Sequence, residues 1–329
     1  MIKVGIVGFG VMGRTHFLAW QAQEGAEVAA VCEANPEVMA NATVGGNMDQ
    51  RSATVDLTGV EVYEDFDKML AEAGLDAVSI TLPTHLHPPF TIKALEAGVH
   101  VLCEKPMALN TDACDEMLAA TERSGKILMI AQCIRFWPEY AWTKSAIADG
   151  RFGKVLSANF DRLSAAPGWS KDSWFADPTK SGGVTLDLHI HDVDYVQYLF
   201  GSPQAISASG ARFENGMLGH IDSDFGFADN LSVTATASWM MSASYGFCMA
   251  FRIALEGASL VFTSGQAPAL KVYPAEGEPY HPEMAAGDGY SGEIAHFTAL
   301  LNGSAEPEIT PQQAKESVRM AMEAAAAVG

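Results

Sequence analysis

Short apolar runs alternate with helix-period segments up to about residue 132. Ile2–Val7, Val28–Cys32, Ala77–Leu82, Val99–Cys103 and Ile127–Ala131 lack polar alternation, as strands covered on both faces do. Between them Val11–Gln23, Asp65–Ala73, Pro88–Ala97 and Thr111–Arg123 carry the helical period. Pro88 and Pro89 suit a first helical turn, and Gly98 suits a stop. Alternating strand and helix predicts a doubly wound parallel sheet of the Rossmann kind over residues 1–132. The stretch Val44–Thr58 fits neither period and reads as a loop.

The pattern then changes. Leu231–Trp239 and Phe251–Leu255 alternate apolar with polar or small residues, and Lys154–Arg162 and Ala205–Phe213 do so less regularly. That is the signature of antiparallel sheet with two unlike faces. Helices are expected at Gly292–Leu301 and Pro311–Val328, the second opened by Thr310-Pro311 as N-cap and N1. Residues 133–329 therefore read as a second, α+β domain, whose last helices are free to pack back on the first.

Composition narrows the function classes. Of the 329 residues 48% are hydrophobic and 18% charged, with a net charge of −20. An anionic surface repels phosphate backbones, which argues against a nucleic-acid partner. No segment has the apolar length of a membrane span. The start, MIKVGIVG, enters a strand directly, and Cys32, Cys103, Cys114, Cys133 and Cys248 form no C-x-x-C pair. A cytoplasmic protein with reduced thiols is expected.

Two constellations carry chemistry. Gly8-Phe9-Gly10-Val11-Met12-Gly13 is a G-x-G-x-x-G between a strand and a helix, the context a dinucleotide site requires. Its glycines permit a tight turn, close approach of a pyrophosphate and close helix packing. Glu33, twenty residues after Gly13, can accept the ribose hydroxyls and would repel a 2′-phosphate. Ala34 and Asn35 follow and no Arg or Lys is adjacent, so NAD is favoured over NADP. At the tip of a later strand, Glu104, Lys105 and Pro106 lie where open α/β sheets bind ligands. The residues alone leave a surface Glu-Lys turn about equally open.

In the second constellation, Gly182-Gly-Val-Thr-Leu-Asp187-Leu-His-Ile-His191-Asp-Val-Asp194, Asp187 and His191 share one helix face and Asp194 follows the same stripe. His189 points roughly opposite, so His189 and His191 cannot both bind one ion from a regular helix, and no metal is expected. Acid–base work and a capped helix with a core histidine both fit the spacing.

The segments GIVGFGVMGRTH, LPTHLHPPFTIKALEAGVHVLCEKPMAL and GGVTLDLHIHDVDYVQYLFG closely resemble the glucose–fructose oxidoreductase/inositol dehydrogenase/rhizopine-catabolism (Gfo/Idh/MocA) family. The E-K-P tripeptide after a Val-rich strand is its most specific mark. The resemblance implies an open, largely antiparallel second sheet, often buried in a homodimer or homotetramer. It also implies hydride transfer between NAD and a sugar, inositol or other polyol. Lys105 matches the family's catalytic lysine, and Asp187 and His191 match a D-x-x-x-H beside substrate. Leu82, Pro83 and His87 match the turn near the nicotinamide, although His87 alone reads equally as a surface residue. Arg135 matches an element lining the substrate cleft; a domain-joining salt bridge is its other reading. Trp169 and Trp174 could stack on a sugar face, with packing as their other reading, and Tyr290 is a weaker substrate candidate. His189 stands where many relatives carry a small residue. Two other functions stay open: a nucleotide-sensing regulator that binds NAD without turnover, and a redox-assisted lyase or glycosidase.

Overall fold

A computed structural model describes residues 1–40, 55–167 and 174–329. Its contacts divide the chain into two units, Met1–Cys133 with Gly289–Lys315, and Ile134–Asp288 with Glu316–Gly329.

The first unit holds the expected parallel sheet, six strands in the order β3-β2-β1-β4-β5-β6. They are β1 (Ile2–Val7), β2 (Ala26–Cys32), β3 (Glu61–Tyr63), β4 (Ala77–Ile80), β5 (His100–Glu104) and β6 (Leu128–Ala131). The helices are α1 (Val11–Gln21), α2 (Pro36–Ala40), α3 (Phe66–Glu72), α4 (His87–Glu96) and α5 (Thr111–Ser124). Strand order reverses between β1 and β4, so the ligand crevice of such a sheet opens at their carboxyl ends. The short β3 and α2 were not legible, because three and five residues are too few to show a period. Val55–Thr58 has no helix or strand, and residues 44–54 of the expected loop lie outside the described residues. A late helix, α9 (Gly289–Leu301), belongs to this unit.

The second unit is built on seven strands in the order β13-β12-β11-β7-β10-β9-β8. These are β7 (Val155–Ser164), β8 (Ala205–Arg212), β9 (Leu218–Gly226), β10 (Ser232–Ser238), β11 (Phe247–Leu255), β12 (Ala258–Thr263) and β13 (Leu270–Pro274). Pairing is antiparallel throughout except for β7 with β10, which run parallel. One parallel pair in an otherwise antiparallel sheet agrees with the largely antiparallel expectation, and which pair it is was not legible, since alternation reveals a half-buried strand but not its neighbour's direction. Ala158, Phe160, Val233, Ala235, Ile221 and Phe225 point into the core, whereas Asn159, Asp161, Thr234, Thr236, Asp222 and Asp224 point out. On the inner face lies α8 (Ile190–Phe200), preceded by α6 (Pro138–Ala148) and α7 (Pro178–Ser181). Tyr140 sits edge-on to Tyr195, Phe251 and Phe262 at centroid distances of 4.8, 5.1 and 5.3 Å. The last helix, α10 (Pro311–Ala327), starts in the first unit and ends in the second.

Candidate active site

Strand ends β1, β4 and β5 present three loops side by side. The first is the glycine loop. A Cβ on Gly13 would lie 2.0 Å from the Gly8 carbonyl oxygen, so only glycine lets α1 start this close to β1. A Cβ on Gly10 would meet nothing within 4 Å. Gly10, Val11 and Met12 are half-exposed, at a helix start whose first N–H groups have no partner within the helix. This open, amide-lined cradle fits the pyrophosphate of a dinucleotide. Phe9 differs from expectation: its ring is buried edge-on to Phe17 and its N–H donates to Glu33 Oε2 at 2.8 Å. It shapes the loop instead of facing a ligand.

Glu33 Oε1 also accepts the Asn35 N–H at 2.9 Å, which fixes the carboxylate at the end of β2. No cation adjoins it in the chain, but Arg14 arrives from α1. The Arg14 guanidinium donates to the Val38 carbonyl oxygen and lies over the Phe9 ring at 5.2 Å. Burial lowers its pKa, against the opposing pull of Glu33.

The β4 loop is tied to the glycine loop by the Thr81 hydroxyl, which donates to the Gly8 oxygen at 2.6 Å. His87 is not a surface residue. It is buried, with Nδ1 2.8 Å from the Pro106 oxygen and Nε2 2.8 Å from the Leu82 oxygen. It thus clips the Leu82-Pro83 turn to the turn after β5. Burial pushes its pKa down, more than its two carbonyl partners push it up.

From Val101 to Ala108 every residue is buried except Lys105. Strand alternation sends neighbours to opposite sides. Glu104 therefore does not face the crevice as expected. Its Oε1 pairs with His16 Nε2 at 3.0 Å and its Oε2 accepts the Lys105 N–H at 3.0 Å. Burial raises the Glu104 pKa, but the His16 hydrogen bond and the charges of His16, Lys105 and His87 outweigh it, so the carboxyl lies below its ordinary value. The Lys105-Pro106 bond is cis.

In the second unit, Gly182 and Gly183 both have positive φ, at 75° and 62°. There the chain leaves α7 and enters a wide π-helical turn, Thr185–His189, in which the Ile190 N–H reaches back to the Thr185 oxygen. From Gly183 to Gln197 only Asp187 and His191 are half-exposed, and all else is buried. His189 does point away, pairing with Ser223 Oγ at 2.8 Å. Burial takes its pKa down to about 3.

The remaining acids of the run are structural. Asp192 binds Arg162 through Nε at 2.8 Å and Nη2 at 3.0 Å. Asp194 binds Arg135 at 2.7 and 2.8 Å, with both side chains at 0% exposure. Arg135 is therefore not a residue of an open cleft, and its salt bridge lies within the second unit. Trp169 lies outside the described residues. Trp174 stacks on Phe175 at 3.9 Å. Tyr290 stands half-buried in the first turn of α9.

Sequence reasoning missed His16, Arg14 and Glu293. Glu293 Oε1 lies 3.8 Å from His16 Nε2 in the buried cluster behind Glu104. The signal was present: His16 and Glu293 are ionisable residues on the apolar stripes of their helices.

Comparison with known proteins supplies the relatives. Residues 2–132 match the model described as oxidoreductase family, NAD-binding Rossmann fold, and residues 140–261 match a GFO/IDH/MocA C-terminal domain. The 2,7-anhydro-N-acetylneuraminate hydratase of Mediterraneibacter gnavus is 33% identical over 235 residues, 70% of this chain and 56% of that protein. The D-apiose dehydrogenase of Paraburkholderia graminis is 29% identical over 224 residues, 66% of this chain and 54% of that protein. The matched stretch thus spans little more than half the length of these curated relatives. The WlbA dehydrogenase of Bordetella pertussis, solved with NADH and UDP-GlcNAcA, superposes with a TM-score of 0.82 at 22% identity, over 99% of this chain and 96% of that one.

Proposed function

Because the chain belongs to the Gfo/Idh/MocA family of oxidoreductases, we propose that it is an NAD-dependent dehydrogenase acting on a hydroxyl carbon of a sugar, inositol or related polyol. The observation that carries this reading is the selective exposure of Lys105, the one unburied side chain of the β5 turn at the carboxyl edge of the parallel sheet. Gly10, Val11 and Met12 would hold the pyrophosphate and Glu33 the adenosine ribose; the bound nicotinamide would supply the hydride acceptor. Lys105 Nζ orients the substrate hydroxyl; His191, half-exposed in the second unit, is the other candidate acid–base residue. One of the two takes the hydroxyl proton. Asp187, one turn before His191, orients its ring or accepts a neighbouring hydroxyl.

The test is a panel of sugars, inositols and sugar acids followed by NADH absorbance, with NADP⁺ in parallel. Lys105→Ala should lower kcat by roughly a thousandfold while the NAD dissociation constant changes little. Lys105→Arg should fail equally, because a guanidinium keeps its proton. Wild-type turnover in either variant removes Lys105 from the chemistry.

A second reading, redox-assisted elimination, is favoured by the likeness to a hydratase. Product without net NADH would mark it, whereas NAD binding without any transfer would mark a regulator. The proposal includes a homodimer or homotetramer, since among the described residues the outward side chains of the second sheet, Asp222 and Asp224 with them, are exposed. Light scattering that gives a monomer mass would remove that part.

A further inference from the structure

We propose that Glu293 is a positioning residue for Lys105, acting through a buried carboxylate–imidazole–carboxylate cluster with His16 and Glu104; the inference rests on the reading of Lys105 given above. Lys105 hangs by its main-chain N–H on Glu104 Oε2, and the other oxygen of that carboxylate is held by His16 Nε2. The geometry of Lys105 thus depends on where the His16 ring stands. Glu293 faces the same ring nitrogen from the opposite helix, at 3.8 Å. The donor atoms of His16, Glu104 and Glu293 all lie within 4.8 Å of one another, and all three side chains are buried. A ring nitrogen carries one hydrogen. At 3.0 Å it goes to Glu104, and Glu293, at 3.8 Å, faces the same edge of the ring without sharing that hydrogen bond.

Helix packing explains why Glu293 arrives there. Trp20 lies edge-on to Phe297 at 6.2 Å. Trp20 is four residues beyond His16, and Phe297 four beyond Glu293, so two equal steps place both pairs on facing stripes of α1 and α9. Trp20 is pinned in turn by its Nε1–H to Ser79 Oγ at 2.9 Å. A sliding of α9 would misplace the acid and the aromatic together. Glu293 stands outside both matched family segments, which end at residues 132 and 261.

A cation held by the three donors is the competing use of this cluster. Metal-bound imidazoles give their second N–H to an outer acceptor. His16 Nδ1 has no hydrogen-bond partner among the described residues, which favours the hydrogen-bonded cluster.

The decisive variant is Glu293→Gln, which keeps size and removes charge; Glu293→Asp keeps charge and shortens reach, and serves if the first does not fold. Amide hydrogen exchange is read on peptides covering residues 102–110, beside kcat, the NAD dissociation constant, the melting temperature and metal content. The expected result is about tenfold faster exchange confined to the Glu104–Pro106 turn, about tenfold lower kcat, and NAD affinity and melting temperature close to wild type. Unchanged exchange and kcat overturn the proposal. So does loosening spread evenly over the first unit, or a stoichiometric metal in the wild type that the variant loses. If the wild type oxidises no sugar or polyol but the local exchange effect appears, the catalytic reading of Lys105 falls and the tie from Glu293 to the turn stands.

Discussion

Lys105 and Glu104 are chain neighbours with opposite fates, and the cause is the two-residue repeat of an extended strand. The tip of β5 delivers an acid to the interior and an amine to the edge. That an acid and a base stood there was legible; that the acid turns inward was not, because its partners His16 and Glu293 are 88 and 189 residues away in sequence. The glycine loop is the opposite case, since its constraint is local. The 2.0 Å approach of a Gly13 Cβ to the Gly8 oxygen is a clash with backbone. Gly13→Ala should therefore cost about 1–3 kcal/mol of stability and weaken NAD binding at least tenfold, as read by denaturant titration and NADH fluorescence. An alanine variant with native stability and affinity would contradict this placement of α1.

At the scale of elements, the helix that follows Gly182-Gly183 is sorted by burial. Helical spacing put Asp187, His191 and Asp194 on one stripe, yet only the first two are half-exposed. The wide turn at Thr185–His189 alters the angular step before α8 begins, and Asp194 is claimed by Arg135, Ser317 Oγ approaching it at 2.9 Å from α10. Breaking that pair leaves a buried charge alone. Arg135→Met should therefore destabilise the protein by about 3–5 kcal/mol, with the KM for substrate nearly unchanged in the folded fraction. A large KM effect at native stability would restore Arg135 to the substrate cleft. Spacing cannot reveal such claims, because an arginine 59 residues away decides them.

For the molecule as a whole, pH is the clearest lever. Burial takes His189 from its ordinary value to about 3 and also lowers His87. Between the folded and unfolded values the unfolded chain binds the extra proton, so stability falls as pH drops below the unfolded imidazole range. His189 alone contributes a slope of up to about 1.4 kcal/mol per pH unit across that window. His189→Gln should flatten the acid limb of the stability profile measured by urea unfolding between mildly acidic and neutral pH. An identical slope in the variant would show that His189 is hydrated and titrates normally.

Hydrophobic period by itself determined the doubly wound parallel sheet and the late sheet with one buried face, and glycine spacing determined the loop between β1 and α1, because each is written in residues close together in the chain. The tertiary structure alone decided that Glu104 faces inward, that Arg135 and Asp194 neutralise each other, that His87 is buried and that β7 and β10 run parallel. Those outcomes depend on which distant charges and strands come together when water is excluded, and local sequence carries no record of that choice.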